Sequence, residues 1–108
     1  MKISNRTAVI VAERGGLFLP PPSLFASDSR LKEAVVPLKQ LANGVELYRF
    51  RYKGDSEVYV GVIAQQVARL MPRAVLRGDD GYLRVDYERL GLRLMTWAEW
   101  RLSQSLPH

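Results

Sequence analysis

At 108 residues, 47% of them apolar and 25% charged, the chain has the composition of one globular domain. That excludes a collagen-like or disordered polymer, and a chain this short is marginal as a lone monomer because it buries only about two thirds of its unfolded surface. There is no cysteine, so disulfides contribute nothing, and no apolar run approaches the roughly 20 residues of a membrane span. Sixteen basic residues against eleven acidic ones give a net charge of +5, which favours weak association with polyanions, but the basic residues are scattered as on a solvated surface.

In chain order, Met1–Pro22 lacks the uninterrupted apolar stretch of a signal peptide, since Glu13 and Arg14 follow Ala8–Ala12 directly. Thr7–Ala12 and Leu17–Leu19 are expected to form a small hairpin around Glu13–Gly16, stopped by Pro20, Pro21 and Pro22. Residues 1–26 are therefore expected to be a short leader and residues 27–108 the main domain. Ser27 and Asp28 are good N-cap residues, and Arg30–Val36 is expected to be a short helical or turn segment before Pro37. A second short helix is expected over Leu38–Ala42, ended by Asn43-Gly44. Val45–Lys53 is expected to be a strand with Glu46, Tyr48, Phe50 and Tyr52 on one face, turning at Lys53–Ser56 into a returning strand Val58–Ile63.

From Ala64 the periodicity changes, with Val67, Leu70 and Met71 at helical spacing and Pro72 closing the helix. Ala74–Arg77 and Tyr82–Asp86, separated by Gly78–Gly81, predict a second hairpin. A final helix is expected from Tyr87 or Glu88 to about Gln104. Leu90, Leu94, Trp97, Ala98 and Leu102 would line one stripe of it, widened by Leu92, Met95 and Trp100. A helix so broadly apolar needs cover on more than one side, and neighbouring copies of the chain are the natural source. The expected class is α+β, with small hairpins, a central helix and a C-terminal helix packed as a homotrimer.

Four separated pieces stand in order: Ser27-Asp28-Ser29-Arg30-Leu31-Lys32, then Gly61-Val62-Ile63-Ala64-Gln65-Gln66-Val67, then Met71-Pro72, then Val85-Asp86-Tyr87. Together, over roughly Ala26–Ser103, the chain resembles the intramolecular chaperone and auto-processing domain of endosialidase tailspikes and other phage tail fibres, a module that recurs in eukaryotic myelin regulatory factor. The resemblance implies a homotrimer that helps three fibre chains register, then cuts itself off at the serine opening the first piece. It places the scissile bond between Ala26 and Ser27, with Ser27 as nucleophile and Lys32 as its dyad partner. It implies an assembly in the cytoplasm, a virion or phage-derived particle as destination if the chain is part of a fibre, and an upstream or separate fibre protein as partner. In that family a long fibre precedes the domain. With only 26 residues ahead of Ser27, the chain reads as a fragment, a stand-alone gene with a separate fibre, or a remnant that keeps the assembly function alone.

The chemistry is coherent on the residues. A serine hydroxyl needs a base, and Ser–Lys pairs are a known solution; the single histidine, His108, stands at the end of the chain. Lys32 must be neutral to act, and lowering its pKa by about three units from about 10.4 costs roughly 4 kcal/mol of desolvation. A closed trimer interface, rather than a single chain, is expected to provide that burial, so cleavage is expected to wait for assembly. Five residues on an ideal helix turn about 140°, so Ser27 and Lys32 would not share a face; either Ser27 folds back from outside the helix or the lysine comes from a neighbouring chain. Asp28, Arg30, Gln65, Asp86 and Tyr87 are supporting candidates, with Asp28 and Asp86 also expected as helix caps, Arg30 as a partner for Asp28 or a solvated side chain, and Gln65 and Tyr87 as buried hydrogen-bonded groups. No metal or cofactor is implied, because no His, Cys and carboxylate cluster stands out. A non-cleaving trimerisation module is the second reading. A basic nucleic-acid module is the third, disfavoured because no groove-reading helix with clustered basic residues is visible.

Overall fold

A computed structural model describes residues 24–105. The expected leader hairpin (Thr7–Ala12 with Leu17–Leu19), the Pro20–Pro22 stop and the Leu106-Pro107-His108 end lie outside the described residues. Over the described residues the fold is mixed α/β, with two helices and two antiparallel sheets. The first sheet has the order β1 (Leu24–Ala26), β6 (Leu83–Asp86), β5 (Val75–Arg77). The second has the order β2 (Lys32–Gln40), β3 (Glu46–Tyr52), β4 (Val58–Gly61), β7 (Met95–Thr96). Helix α1 (Ala64–Leu70) follows β4, and α2 (Trp97–Ser105) follows β7. Among the described residues, no helix is long and apolar enough to cross a membrane.

The hairpins and the central helix lie where the sequence places them, and two other expectations are corrected. Arg30–Val36 is not helical. One 3-10 turn, Ser29–Leu31, leads directly into the long strand β2, which also takes up Leu38–Gln40 of the second expected helix. The reason is local and tertiary together. Val35 and Val36 are β-branched residues ahead of a proline, and β3 needs an antiparallel partner, which β2 supplies from Lys32↔Tyr52 to Gln40↔Glu46. Pro37 is tolerated because β2 is an edge strand. Ala34, at φ 53, sits in the irregular stretch between Glu33 and Val36 where the register shifts.

The single final helix is also corrected. Tyr87–Leu90 is one 3-10 turn, and Gly91 then adopts φ 70, a left-handed conformation that ends it. Met95 and Thr96 return to the edge of β4 opposite Val60 and Tyr59. Only then does α2 begin, and its start is a reciprocal capping box. The Glu99 backbone N–H donates to Thr96 Oγ1 at 3.1 Å, and the Thr96 N–H donates to Glu99 Oε1 at 2.9 Å.

Two buried clusters hold the molecule together. Val45, Leu47, Val62, Val67, Val85 and Tyr87 belong to the first, which joins β3, β4, α1 and β6. Ala26, Leu31, Phe50 and Tyr52 form the second. Strand β3 feeds both, because successive side chains point to opposite faces. Val45 and Leu47 enter the first cluster, while Phe50 and Tyr52, from the expected aromatic face, enter the second. Burying a side chain such as Phe50 fully contributes roughly 1.5–3 kcal/mol. Helix α2, by contrast, has no fully buried residue, and Leu102 is 63% exposed.

Candidate functional site

The Ala26–Ser27 linkage is held at the end of β1. Leu24, Phe25 and Ala26 pair with Asp86, Val85 and Arg84 of β6. Beyond the strand, the Ser27 N–H donates to the Leu83 carbonyl at 3.0 Å, and the Ser27 carbonyl accepts from the Ala64 N–H, the first residue of α1, at 2.8 Å. Ser27 is therefore fixed on both sides by backbone, and it is fully buried.

From there the chain turns back on itself. Asp28 caps the 3-10 turn by accepting from the Arg30 N–H at 3.0 Å, and the Leu31 N–H donates to the Asp28 carbonyl at 3.0 Å. Lys32 leaves the turn in extended conformation as the first residue of β2. This one turn brings Lys32 Nζ to 3.0 Å from Ser27 Oγ. Of the two arrangements left open by helical geometry, the chain adopts the first. Ser27 lies outside the turn, and its lysine comes from the same polypeptide.

Lys32 is only 5% exposed. Its Nζ donates to the Val62 carbonyl as well as to Ser27 Oγ, and lies 4.0 Å from the centroid of the Phe50 ring. Burial holds its pKa well below the ordinary lysine range, opposed by the negative charge of Asp28. The expectation that a trimer interface, rather than a single chain, buries Lys32 is thus corrected. The single chain does so, because Lys32 sits between the second aromatic cluster and the loop that follows β4. Ser27 Oγ, meanwhile, donates to the Val62 carbonyl at 2.6 Å.

The supporting candidates fall into two groups. Asp28, fully buried, gathers donors from Arg30 Nε and Nη2 at 3.0 and 2.8 Å, Gln65 Nε2 at 2.9 Å and the Leu83 N–H at 3.0 Å. The Arg30 guanidinium holds the Asp28 carboxyl well below the usual carboxylate range, against the opposite push of burial, with the Leu83, Arg30 and Gln65 hydrogen bonds assisting. Arg30 is thus the partner of Asp28, although its side chain is 59% exposed. Its Nη2 also reaches the Gly81 carbonyl at 3.0 Å, and its guanidinium stacks on Tyr82 at 4.8 Å. Gln65 bridges Asp28 to the Ser29 N–H at 2.9 Å. This first group braces the loop that carries Ser27.

Tyr87 and Asp86 make up the second group. The Tyr87 hydroxyl accepts from the Val62 N–H at 3.0 Å. Burial pushes it up to about 12, partly offset by that bond and by its contact with Ser27. Tyr87 therefore steadies the residue whose carbonyl receives Ser27 and Lys32. Asp86 is a cap, accepting from the Glu88 N–H at 3.1 Å and pairing with Arg89 at 3.6 Å. It is not brought to the Ser27–Lys32 pair by any of these contacts. Among the described residues, no three His, Cys, Asp or Glu side chains come together as metal ligands would.

Two participants were not singled out from the sequence. Val62 offers its carbonyl, a backbone group that no residue-type pattern marks. Tyr52 is the other, its hydroxyl donating to the Ala26 carbonyl oxygen at 2.6 Å. Its position at the end of the expected aromatic face was the only available signal. Arg84, 5% exposed and paired with Asp80 at 2.9 Å, was likewise not anticipated; it braces the β5–β6 turn.

Three of the four motif pieces that carry the resemblance thus meet around Ser27. Ala64 and Gln65 bind the Ser27–Ser29 loop, Val62 receives the serine and lysine, and Tyr87 holds Val62. No curated protein and no solved structure matches the chain. A family model described as chaperone of endosialidase matches residues 27–76, a span that begins at the buried serine and ends in β5. The match over residues 27–76 is consistent with a C-terminal chaperone-type domain.

Proposed function

We propose that the chain is a trimerisation chaperone domain of tail-fibre type that cuts its own backbone once, between Ala26 and Ser27. The observation that carries this reading is the approach of Lys32 Nζ to 3.0 Å from Ser27 Oγ, with both groups buried and the lysine biased toward its neutral form. A neutral amine within hydrogen-bond reach of a serine hydroxyl is what a Ser–Lys dyad requires.

The reaction follows from Ser27 being part of the bond it attacks. Its hydroxyl proton, directed in the resting arrangement at the Val62 carbonyl, swings toward the lone pair of Lys32. As Lys32 takes that proton, Oγ bonds to the Ala26 carbonyl carbon and the carbonyl oxygen becomes an oxyanion. Collapse breaks the C–N bond, and the Lys32 ammonium returns the proton to the departing Ser27 nitrogen. The result is an ester between the Ala26 acyl group and Ser27 Oγ. Water, with Lys32 again as base, hydrolyses it to an Ala26 carboxylate and a Ser27 that carries a free hydroxyl and α-amine. Each chain turns over once.

Assembly is supported by α2, which has no fully buried residue in the single chain and includes the stacked pair Trp97–Trp100 at 5.5 Å. Three copies covering one another's α2 and the exposed edge of β2 would bury Leu102, Val35 and Val36, all exposed in one chain. A non-cleaving trimerisation module is the second reading, favoured by the 2.6 Å bond that aims the Ser27 proton away from Lys32.

Intact mass of the purified protein separates the two. The first reading expects a species beginning at Ser27, absent from Ser27→Ala and Lys32→Ala. Full-length wild-type chain that persists in a stable trimer, by light scattering, would leave only the second.

A further inference from the structure

We propose that Tyr52 is a third catalytic residue of this site, the donor that holds the oxyanion formed on the Ala26 carbonyl oxygen; the assignment rests on the self-cleavage reading above. Tyr52 and Lys32 are cross-strand partners in the β2–β3 ladder. Directly opposed residues of an antiparallel pair project to the same face. From that one face Lys32 reaches Ser27 Oγ, while Tyr52 reaches the carbonyl oxygen of Ala26. The base and the carbonyl clamp are therefore delivered together to the two residues that flank one peptide bond.

Three features make this contact more than a satisfied tyrosine. The hydroxyl-to-carbonyl distance is 2.6 Å, at the short end for an O–H···O bond. The ring is 1% exposed and held on two sides, edge-on to Phe50 at 5.3 Å and to Tyr59 at 5.5 Å, so the hydroxyl is aimed before any charge appears. The acceptor is the oxygen on which negative charge develops when Ser27 attacks. A preorganised donor in a buried site stabilises that charge more than it stabilises the ground-state carbonyl, because the bond becomes charge-assisted only in the transition state. Tyr52 gives and receives no proton in this role; its O–H bond stays intact throughout.

The test uses the whole chain, made by cell-free synthesis, isolated uncleaved in denaturant and refolded, with release of the 27–108 product followed by intact mass. Wild type, Tyr52→Phe and Lys32→Ala are compared across pH. The expected result for Tyr52→Phe is a first-order cleavage rate about 10²-fold below wild type, with the pH at which the rate levels off unchanged and only the modest fall in unfolding temperature that losing one buried hydrogen bond brings. A purely structural role would move the levelling pH, because Lys32 would be rehydrated, or lower the unfolding temperature in proportion to the rate.

If wild type cleaves and folded Tyr52→Phe cleaves equally fast, the Tyr52 assignment is overturned and the Ser27–Lys32 reading stands. If wild type does not cleave at all, both fall. Should Tyr52→Phe fail to fold, 3-fluorotyrosine placed at position 52 alone replaces it. A rate that changes with the strengthened donor supports the assignment, and an unchanged rate overturns it.

Discussion

The Tyr87 hydroxyl occupies the space in which a side chain at Gly61 would begin. A Cβ built on Gly61 overlaps that hydroxyl and lies 3.0 Å from Leu94 and 3.3 Å from Phe50. The glycine that opens the Gly61–Val67 piece is thus required by close approach, not by backbone conformation. It lets the tyrosine reach the Val62 N–H at 3.0 Å.

Gly61→Ala is expected to destabilise the domain by about 1–3 kcal/mol through overpacking. Tyr87→Phe costs about 1–3 kcal/mol on its own by leaving the Val62 N–H without its acceptor. The double substitution should cost less than the sum of the two, because removing the hydroxyl vacates the space the methyl needs, although Leu94 and Phe50 remain close. Denaturant unfolding of the four proteins closes the cycle. Strict additivity would show that the two positions do not compete for space.

Lys32 carries a stability cost with a definite pH dependence. Its folded pKa lies well below the unfolded value of about 10.4, so below that value the unfolded chain holds a proton that the folded chain lacks. Stability therefore falls as pH drops from the unfolded pKa toward the folded one. In a Ser27→Ala background, which blocks cleavage, Lys32→Met is expected to stabilise the domain at neutral pH by on the order of 1 kcal/mol. That advantage should shrink as pH approaches about 10. Melting curves at several pH values measure it, and a constant or growing advantage toward alkaline pH would contradict a neutral buried lysine.

Under the proposed mechanism the same ionisation sets the rate. Cleavage is expected to rise with pH while Lys32 loses its proton, then level off below the ordinary lysine range. Asp28 pulls the levelling point upward, and Arg30 counters Asp28 through its two-point contact. Arg30→Gln should therefore move the profile to higher pH, modestly because the guanidinium is 59% exposed and screened. Refolding time courses read by mass would show this, and a shift to lower pH would be inconsistent with the proposed charge balance.

Because Ser27 and Lys32 meet within one chain, the proposed mechanism expects dilution to slow cleavage only to the extent that it unfolds the domain. Cleavage rate and unfolding temperature are expected to change in parallel as concentration is lowered. Leu102→Glu on the exposed face of α2 should weaken self-association in light scattering while leaving the 3.0 Å Ser27–Lys32 pair in place. A folded monomer that cannot cleave would mean that a neighbouring chain supplies something the dyad lacks.

Local patterns in the sequence determined the β3–β4 and β5–β6 hairpins and the central helix, because turn residues, alternation and short-range spacing act over a few positions; Ser27 and Lys32 were singled out by the family resemblance instead. Local patterns misjudged the segments whose conformation depends on distant partners. Lys32–Gln40 is a strand because β3 needs an edge partner, and Met95–Thr96 is a strand because β4 presents a free side to it. The Thr96–Glu99 capping box marked the true start of α2, but the apolar stripe running across Gly91 masked it. Tertiary structure alone decided that Lys32 is buried in one chain, that Tyr52 meets the Ala26 carbonyl, and that the Val62 carbonyl receives both members of the pair. Those contacts join residues up to 35 positions apart, and they arise from cross-strand register and desolvation, which no local window of sequence contains.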